Sequence, residues 1–436
     1  MLVRRWSGRL PMLNPESVAA VEAARFGERF VRPLYTGYGF AAIPGTIEYL
    51  LTGAGDTTLP PAAIPGGLER RETVVLLFLD ALGWQFFASH VEHYPFLQRA
   101  LDHGVVSRLT TMFPSTTAGH VTAIHTGQPP GQSGVFEWFF HEPTLGRIIA
   151  PLLFSYAGER ERETLAAARV QPAALFPTAT LYQRLAAAGV HSTVFMESSY
   201  AYSSYSRIVC AGADTVAYHT LAEAIVLLSQ RLEARRGPAY YMLYVDTVDS
   251  LCHTYGPAAP HVEAEIDAVL TTLDRLLHPA LARSGRPVLL LFTADHGQIG
   301  VNPTTSLLVN RLLPELVAAT PIGADGRPLA PGGSNRDLFL YLNPDRVEEM
   351  RAALSELLAG RAEVYRVVDL AAQGFFGPQV SPVFLARAGD LVVLPYAGEA
   401  VWWEDGRFKQ RLLGMHGGLT PEEAHTELGA LVYGED

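Results

Sequence analysis

The sequence predicts an α/β fold: a largely parallel central sheet with helices on both faces and a smaller inserted cap subdomain. Two observations lead there. From Thr73 onward, short and nearly continuous apolar runs alternate with helical stretches, which is the pattern of strands buried on both faces of a parallel sheet. The clearest runs are Val74 to Leu79, His191 to Met196, Ala239 to Val245 and Pro287 to Thr293. Three of the four end at or just before an aspartate: Asp80, Asp246 followed by Asp249, and Asp295. In open α/β sheets ligands bind outside the carboxyl ends of the strands, so these acids are placed where chemistry is expected.

Taken in order, Glu16 to Phe30 has helical spacing and Gly53 to Gly67 is a Pro, Gly and Thr-rich loop. Residues 1–70 therefore read as an N-terminal extension packed on the core. The core itself is assigned to 71–300 and 405–436, with helices over Ala179 to Ala188, Leu221 to Arg235 and Val262 to Leu277 between the strands. Residues 301–404 break the alternation. They carry Pro and Gly loops around Ala324 to Ser334, a strand-like Leu338 to Leu342 and a helical Arg346 to Leu358, and read as the insert.

The chain has 436 residues and a net charge of -11, with both signs interspersed and no basic run. A nucleic-acid polymer or an anionic membrane surface is disfavoured as partner, and a small molecule is expected. Only Cys210 and Cys252 are present, too few for a disulfide framework. Met1 to Pro11 holds three arginines but no apolar stretch follows as a signal peptide requires. No run approaches the roughly 20 apolar residues that span a bilayer. A cytoplasmic location is the expectation.

The chemistry-bearing residues sit at turns. Asp80 closes VVLLFLDALGW, where a strand delivers a carboxylate into a glycine-containing turn; capping of the next helix is the ordinary alternative. In MFPSTTAGHVTAIHTG, Ser115, Thr116 and Thr117 precede a short helix, where free amides and the helix dipole favour a phosphate. His120 lies about one turn further on and is a candidate phosphate contact. In YVDTVDSLCHTYGP, Asp249 and His253 are four apart and share a helical face. Carboxylate with imidazole suits Zn²⁺ or Mn²⁺ better than Mg²⁺. Asp246 would lie two turns from His253, about 10 Å along a helix axis and too far to share an ion. Asp295 and His296 are adjacent in TADHG, where Gly297 allows a sharp turn, and His416 stands in MHGGLTPEE.

In this order, VVLLFLDALGW, FPSTTAGHVTAIHTGQPPGQSGV, DSLCHTYGP, TADHG and MHGGLTPEE resemble the type I phosphodiesterase/nucleotide pyrophosphatase family of the alkaline phosphatase superfamily. The resemblance implies two divalent metal ions, Zn²⁺ foremost and Mn²⁺ second. It places one on Asp249, His253 and His416, and the other on Asp80, Asp295, His296 and the Thr117 oxygen. It makes Thr117 the nucleophile of a phosphoester hydrolase, with Thr116 as the neighbour that sequence leaves open, and implies a phosphothreonine intermediate. The substrate class it implies is a small phosphoester such as a nucleotide diester. A phosphomonoesterase or phosphonate hydrolase is the alternative on the same scaffold, and a non-catalytic phosphate-binding relative is a third reading. Aromatic candidates for a leaving-group pocket are Phe136, Trp138, Phe139, Phe140, Tyr200, Tyr202, Tyr205, Trp402 and Trp403.

Overall fold

The protein is described by a computed structural model covering residues 13–159, 161–405 and 411–434. The first twelve residues of the expected N-terminal extension lie outside the described residues. Six strands of the central sheet come first in the chain: β1 Thr73–Leu79, β2 Val105–Thr110, β3 His191–Glu197, β4 Asp214–Tyr218, β5 Ala239–Val245 and β6 Val288–Thr293. Four strands of a second sheet follow, β7 Gly332–Gly333, β8 Leu338–Leu340, β9 Ala362–Arg366 and β10 Leu391–Pro395, before the chain returns as β11 His425–Tyr433. The central order is β2-β11-β6-β1-β5-β3-β4. Strands β6, β1, β5, β3 and β4 are parallel, while β11 runs antiparallel between β6 and β2.

Register sets up the site. Every residue of β1, β5 and β6 is buried, which is why they read as unbroken apolar runs. Leu79 pairs with Val245 and Phe78 with Thr293, so the three chains leave the sheet side by side at its carboxyl edge. The Asp80 amide then donates to the Val245 carbonyl at 2.8 Å, carrying the pairing one residue beyond the strand.

Several elements differ from expectation in their limits. The first helix is Pro15–Ala23, capped by the Asn14 side chain, and stops short of Phe30. Arg25–Phe26 and Phe30–Val31 instead pair as a short hairpin about Gly27, whose φ of +64° suits glycine. The helix expected over Val262 to Leu277 starts at Pro260, runs to Thr272, passes through a π-helical turn at Leu273–Leu277 and ends with His278–Ala282. Residues 13–70 are integral to the molecule. Phe30, Phe40, Ile43, Ile47 and Leu50 join the main hydrophobic core, and Leu13 and Gly39 bridge to Val106 and Thr110, covering the outer edge of β2. Among the described residues no helix is long and apolar enough to cross a membrane.

The second sheet, ordered β7-β8-β10-β9, is antiparallel and buried on both sides. Leu338, Leu340, Leu391 and Val393 pack with Met350 and Leu354 of the helix Val347–Leu357, whereas Phe339, Val392 and Leu394 face the main core. A fully buried ion pair pins it down: the Arg336 guanidinium donates to both Glu423 carboxylate oxygens, at 3.2 and 2.8 Å, and to the carbonyls of Pro395 and Tyr396. A buried charge left alone is costly, so Arg336→Ala is expected to lower unfolding free energy by about 3–5 kcal/mol. Arg351→Ala, at an exposed pair with Glu348, is expected to cost less than about 1 kcal/mol in the same denaturant titration.

Candidate active site

At the carboxyl edge of the sheet the three acids converge. Asp80 follows β1, Asp295 follows β6, and Asp249 lies in the first turn of the helix Thr247–Tyr255 after β5. The Asp80 and Asp295 turns interlock: Ala81, at a φ of +64°, donates its amide to Asp295 Oδ1 at 3.1 Å, and a Cβ on Gly83 would come within 2.7 Å of the His296 carbonyl. A non-glycine residue held in the left-handed region is strained, and here the interlocked turns hold it there. Tyr244 donates its hydroxyl to Asp80 Oδ2, and Gln298 its amide to Asp249 Oδ1 at 2.6 Å. Asp80 Oδ1 and Asp295 Oδ2 are buried with no hydrogen-bond partner.

Three histidines face these acids with one nitrogen each. His253 Nδ1 lies 2.7 Å from the Gly414 carbonyl, His416 Nδ1 2.8 Å from that of Ser115, and His296 Nδ1 3.0 Å from that of Gly297. A carbonyl can only accept, so Nδ1 carries a proton in each ring; in His296 and His416 Nε2 keeps its lone pair, the usual arrangement behind a metal-binding imidazole, whereas His253 beside Asp249 would shed an Nε2 proton to take up a cation. The Nε2 atoms point at carboxylates: His253 to Asp249 at 3.3 Å, His416 to Asp249 at 3.8 Å, His296 to Asp295 at 3.3 Å and to Asp80 at 3.6 Å. Two sets of ligand atoms lie within 4.8 Å of one another: Asp80, Asp295 and His296, and Asp249, His296 and His416. His296 thus stands between the two sets, its ring stacked on His416 at 3.6 Å, while His253 reaches only Asp249.

Burial dominates the electrostatics of the cluster. Burial, then the neighbouring Asp295 and Asp249, push the Asp80 carboxyl well above the usual range, and burial raises Asp295 as well. Burial lowers His296 to about 4 and His416 to about 3. Burial alone would lower His253 too, but the Asp249 carboxylate outweighs it and lifts the imidazole to about 8. Partnerless carboxylate oxygens beside bare imidazole nitrogens form a donor set that suits Zn²⁺ or Mn²⁺.

Thr117 opens the helix Thr117–Thr126, all of it buried, with Thr116 as its extended N-cap. The amides of Thr117, Ala118 and Gly119 have no carbonyl behind them in the helix. Since His296 Nδ1 carries a proton, Thr117 Oγ1 donates to His296 Nε2 at 3.2 Å. Thr117 lines both cavities described below and Thr116 lines neither. Ser115 ties this segment to the far end of the chain, donating its amide to Gly417 and its hydroxyl to Gly418. His120 does not take the part expected of it. Its Nδ1 donates to the Thr116 carbonyl at 2.8 Å and its Nε2 accepts from the Met112 amide at 2.9 Å, so both nitrogens are tied to backbone and none remains for phosphate. Asp246 accepts from Tyr200 at 3.0 Å and stands outside both ligand sets. Cys252 is a buried free thiol in the core.

Two cavities meet at Thr117. One, of about 190 Å³, is walled by Met196, Tyr200, Tyr205, Leu152 and Trp138, with Arg162 at its rim. The other, of about 450 Å³, is walled by Trp138, Phe139, Trp402, Asn335 and His253. Of the remaining aromatic candidates, Phe136 and Phe140 are in the main core, Trp403 is in the insert's core, and Tyr202 is exposed outside both cavities. Beside the larger cavity two buried acids share a hydrogen bond. Burial raises Glu137 well above its usual range and Asp337 to about 7, the latter against the hydrogen bonds from Ser334. Glu137, Tyr244, Gln298 and Asn335 were not singled out from sequence. Each is a polar residue in a buried setting, but only the fold brings them to the site.

A family model described as type I phosphodiesterase / nucleotide pyrophosphatase matches residues 74–419. Among solved structures, murine ectonucleotide pyrophosphatase/phosphodiesterase 5, an inactive threonine-to-alanine form in complex with AMP, superimposes with a TM-score of 0.62 at 16% identity over 83% of this chain and 88% of that one. The human protein of the same name gives 0.60 at 14% identity, over 82% and 87%. Phosphonoacetate hydrolase from Sinorhizobium meliloti 1021, in complex with phosphonoacetate, gives 0.58 at 18% identity, over 83% and 90%. A search of curated proteins finds no match.

Two outcomes are expected from this geometry. Zn²⁺ or Mn²⁺ at about one hundred times its dissociation constant should stabilise the metal-stripped protein by about 2.7 kcal/mol per site in thermal unfolding, and Asp80→Asn should remove much of that gain. Because Asp337 binds its proton more tightly folded than unfolded, its contribution is complete below about pH 4 and is lost as pH rises through about 7. Asp337→Asn should flatten the decline in stability between those limits, measured by denaturant unfolding against pH.

Proposed function

The chain belongs to the type I phosphodiesterase/nucleotide pyrophosphatase family, and on that premise we propose that it hydrolyses small phosphodiesters with Thr117 as nucleophile. The observation that carries this reading is the Thr117 hydroxyl at a helix N-terminus, beside His296 and within a cluster of carboxylates with unpartnered oxygens. The inactive form of the murine relative, a threonine-to-alanine change, is consistent with a threonine in that role.

In this reading Asp80, Asp295 and His296 would hold one divalent cation and Asp249, His416 and His253 a second. When bound, such cations supply the positive charge that makes a threonine proton acidic and neutralises a leaving oxygen. The chain's own residues do the rest. The free amides of Thr117, Ala118 and Gly119 receive non-bridging phosphoryl oxygens at the positive end of the helix dipole. With phosphorus held there, the Thr117 oxygen attacks in line and the leaving alkoxide departs on the opposite side. The threonine phosphoester that results is opened by water from the vacated side. His253, His296 and His416 are fixed by their backbone hydrogen bonds and need no reorganisation during the reaction.

The diester reading is favoured over the phosphonate or monoester reading by the two cavities that meet at Thr117. A diester carries a substituent on each side of phosphorus and can fill both. A monoester brings an extra negative charge, and among the described residues Arg162 is the one arginine, with no lysine, lining either cavity.

Steady-state assays of the Zn²⁺- or Mn²⁺-loaded protein should show kcat/KM for bis-p-nitrophenyl phosphate at least tenfold above that for p-nitrophenyl phosphate. Thr117→Ala should lower kcat by at least 10³-fold with the protein still folded; a variant retaining full activity overturns the nucleophile assignment.

A further inference from the structure

Glu137 follows the helix Pro130–Ser133, and Asp337 ends the turn between β7 and β8. Both are buried, and their carboxyls share a hydrogen bond. Donors occupy part of each: the Trp138 and Phe139 amides reach Glu137, and the Ser334 amide and hydroxyl donate to Asp337 Oδ1 at 3.1 and 2.6 Å. Asp337 Oδ2 has no donor from backbone, hydroxyl or amide. A proton held between the two acids would complete them, so the pair alone calls for no ligand.

Asn335 is the independent observation. It is 1% exposed, its backbone carbonyl accepts from Val401 at 3.1 Å, and its Nδ2 and Oδ1 are both buried with no hydrogen-bond partner. Buried amides are almost always satisfied. Here the amide shares the wall of the 450 Å³ cavity with Glu137 and Ser334. Its turn is locked, because the Arg336 amide donates to Ser334 Oγ at 3.1 Å and the Arg336 side chain is held by Glu423. Asn335 and Asp337 are alternate residues flanking Arg336, the spacing at which calcium loops present successive oxygens.

We propose that Glu137, Asn335 Oδ1 and Asp337 Oδ2 form a third cation site, separate from the two at the aspartate cluster, for one hard divalent ion of the Ca²⁺ class. The donors are oxygens only, with no imidazole or thiolate, which suits Ca²⁺ and disfavours Zn²⁺. The ion takes the place of the shared proton, which leaves to solvent, and the cavity supplies water for its remaining positions. No lysine or arginine among the described residues lines this cavity, so no fixed side-chain cation competes with the ion. The site goes beyond the hydrolase reading above and stands whether or not that reading holds.

The test loads the protein with Zn²⁺, adds Tb³⁺ as a luminescent stand-in for Ca²⁺, and reads emission sensitised by tryptophan, Trp138 being next to Glu137 in the chain. Sensitised emission that Ca²⁺ displaces is expected. Glu137→Gln and Asp337→Asn should each weaken Tb³⁺ binding at least tenfold with zinc content unchanged. Asn335→Asp, which adds a carboxylate, should tighten it at least threefold, a gain that misfolding cannot produce. Absence of sensitised emission in the parent protein overturns the site. Emission that survives both Glu137→Gln and Asp337→Asn and is lost in Asp80→Asn belongs to the aspartate cluster and overturns it equally.

Discussion

Asp80, Asp249 and Asp295 are packed into one buried cluster by the register of three adjacent strands, and two of their oxygens face no hydrogen-bond donor. Asp80 and Asp295 resist ionisation unless positive charge joins them, because burial and neighbouring carboxylates favour their neutral forms, while at Asp249 burial is outweighed by His253, which holds that carboxyl below its usual range. The surrounding residues answer to that constraint. Three imidazoles have their Nδ1 protons turned to backbone carbonyls and their Nε2 atoms toward the acids. The nucleophile candidate enters at the positive end of a helix. A cation-binding site is the arrangement that makes each of these choices stabilising together, and a purely structural core would replace the same groups with apolar side chains at no loss.

Holding such a site together requires distant segments to meet. Ser115 is hydrogen-bonded to Gly417 and Gly418, and a Cβ on Gly417 would come within 2.5 Å of Asp337 Oδ1. Three pieces far apart in the chain therefore touch around one glycine pair. The Arg336–Glu423 ion pair and the two-sided burial of the second sheet fix the insert against the core. The insert is thus part of the site's wall, which is how Asn335 and Trp402 come to line one cavity with Thr117.

Much of this was legible in the sequence, for a physical reason. Parallel strands buried on both faces write themselves as unbroken apolar runs, and acids at their ends announce the ligand edge of the sheet. The strands that were missed lack that signature. β2 and β4 carry polar residues within the strand, and β11 buries His425, Glu427 and Gly429, the last because a Cβ there would come within 2.0 Å of the Phe292 ring. Helical spacing pointed His120 at the pocket, but a helix buried on every side has no single face, and nearby backbone groups took both ring nitrogens. Spacing grouped His253 with Asp249, and the family resemblance added His416; neither could show that His296 would stack on His416 and stand between the two ligand sets. Asn335 and Glu137 gave no local signal, since their importance comes from contacts across the whole fold.

The central claim is that Thr117 forms the covalent bond to phosphorus. The most direct test is rapid acid quench of the metal-loaded protein during turnover of bis-p-nitrophenyl phosphate, followed by peptide mass spectrometry. The account predicts a p-nitrophenyl phosphoryl adduct on Thr117, formed as fast as the first p-nitrophenolate is released. An adduct on Ser115 or Thr116, or turnover with no protein adduct at any quench time, would contradict it.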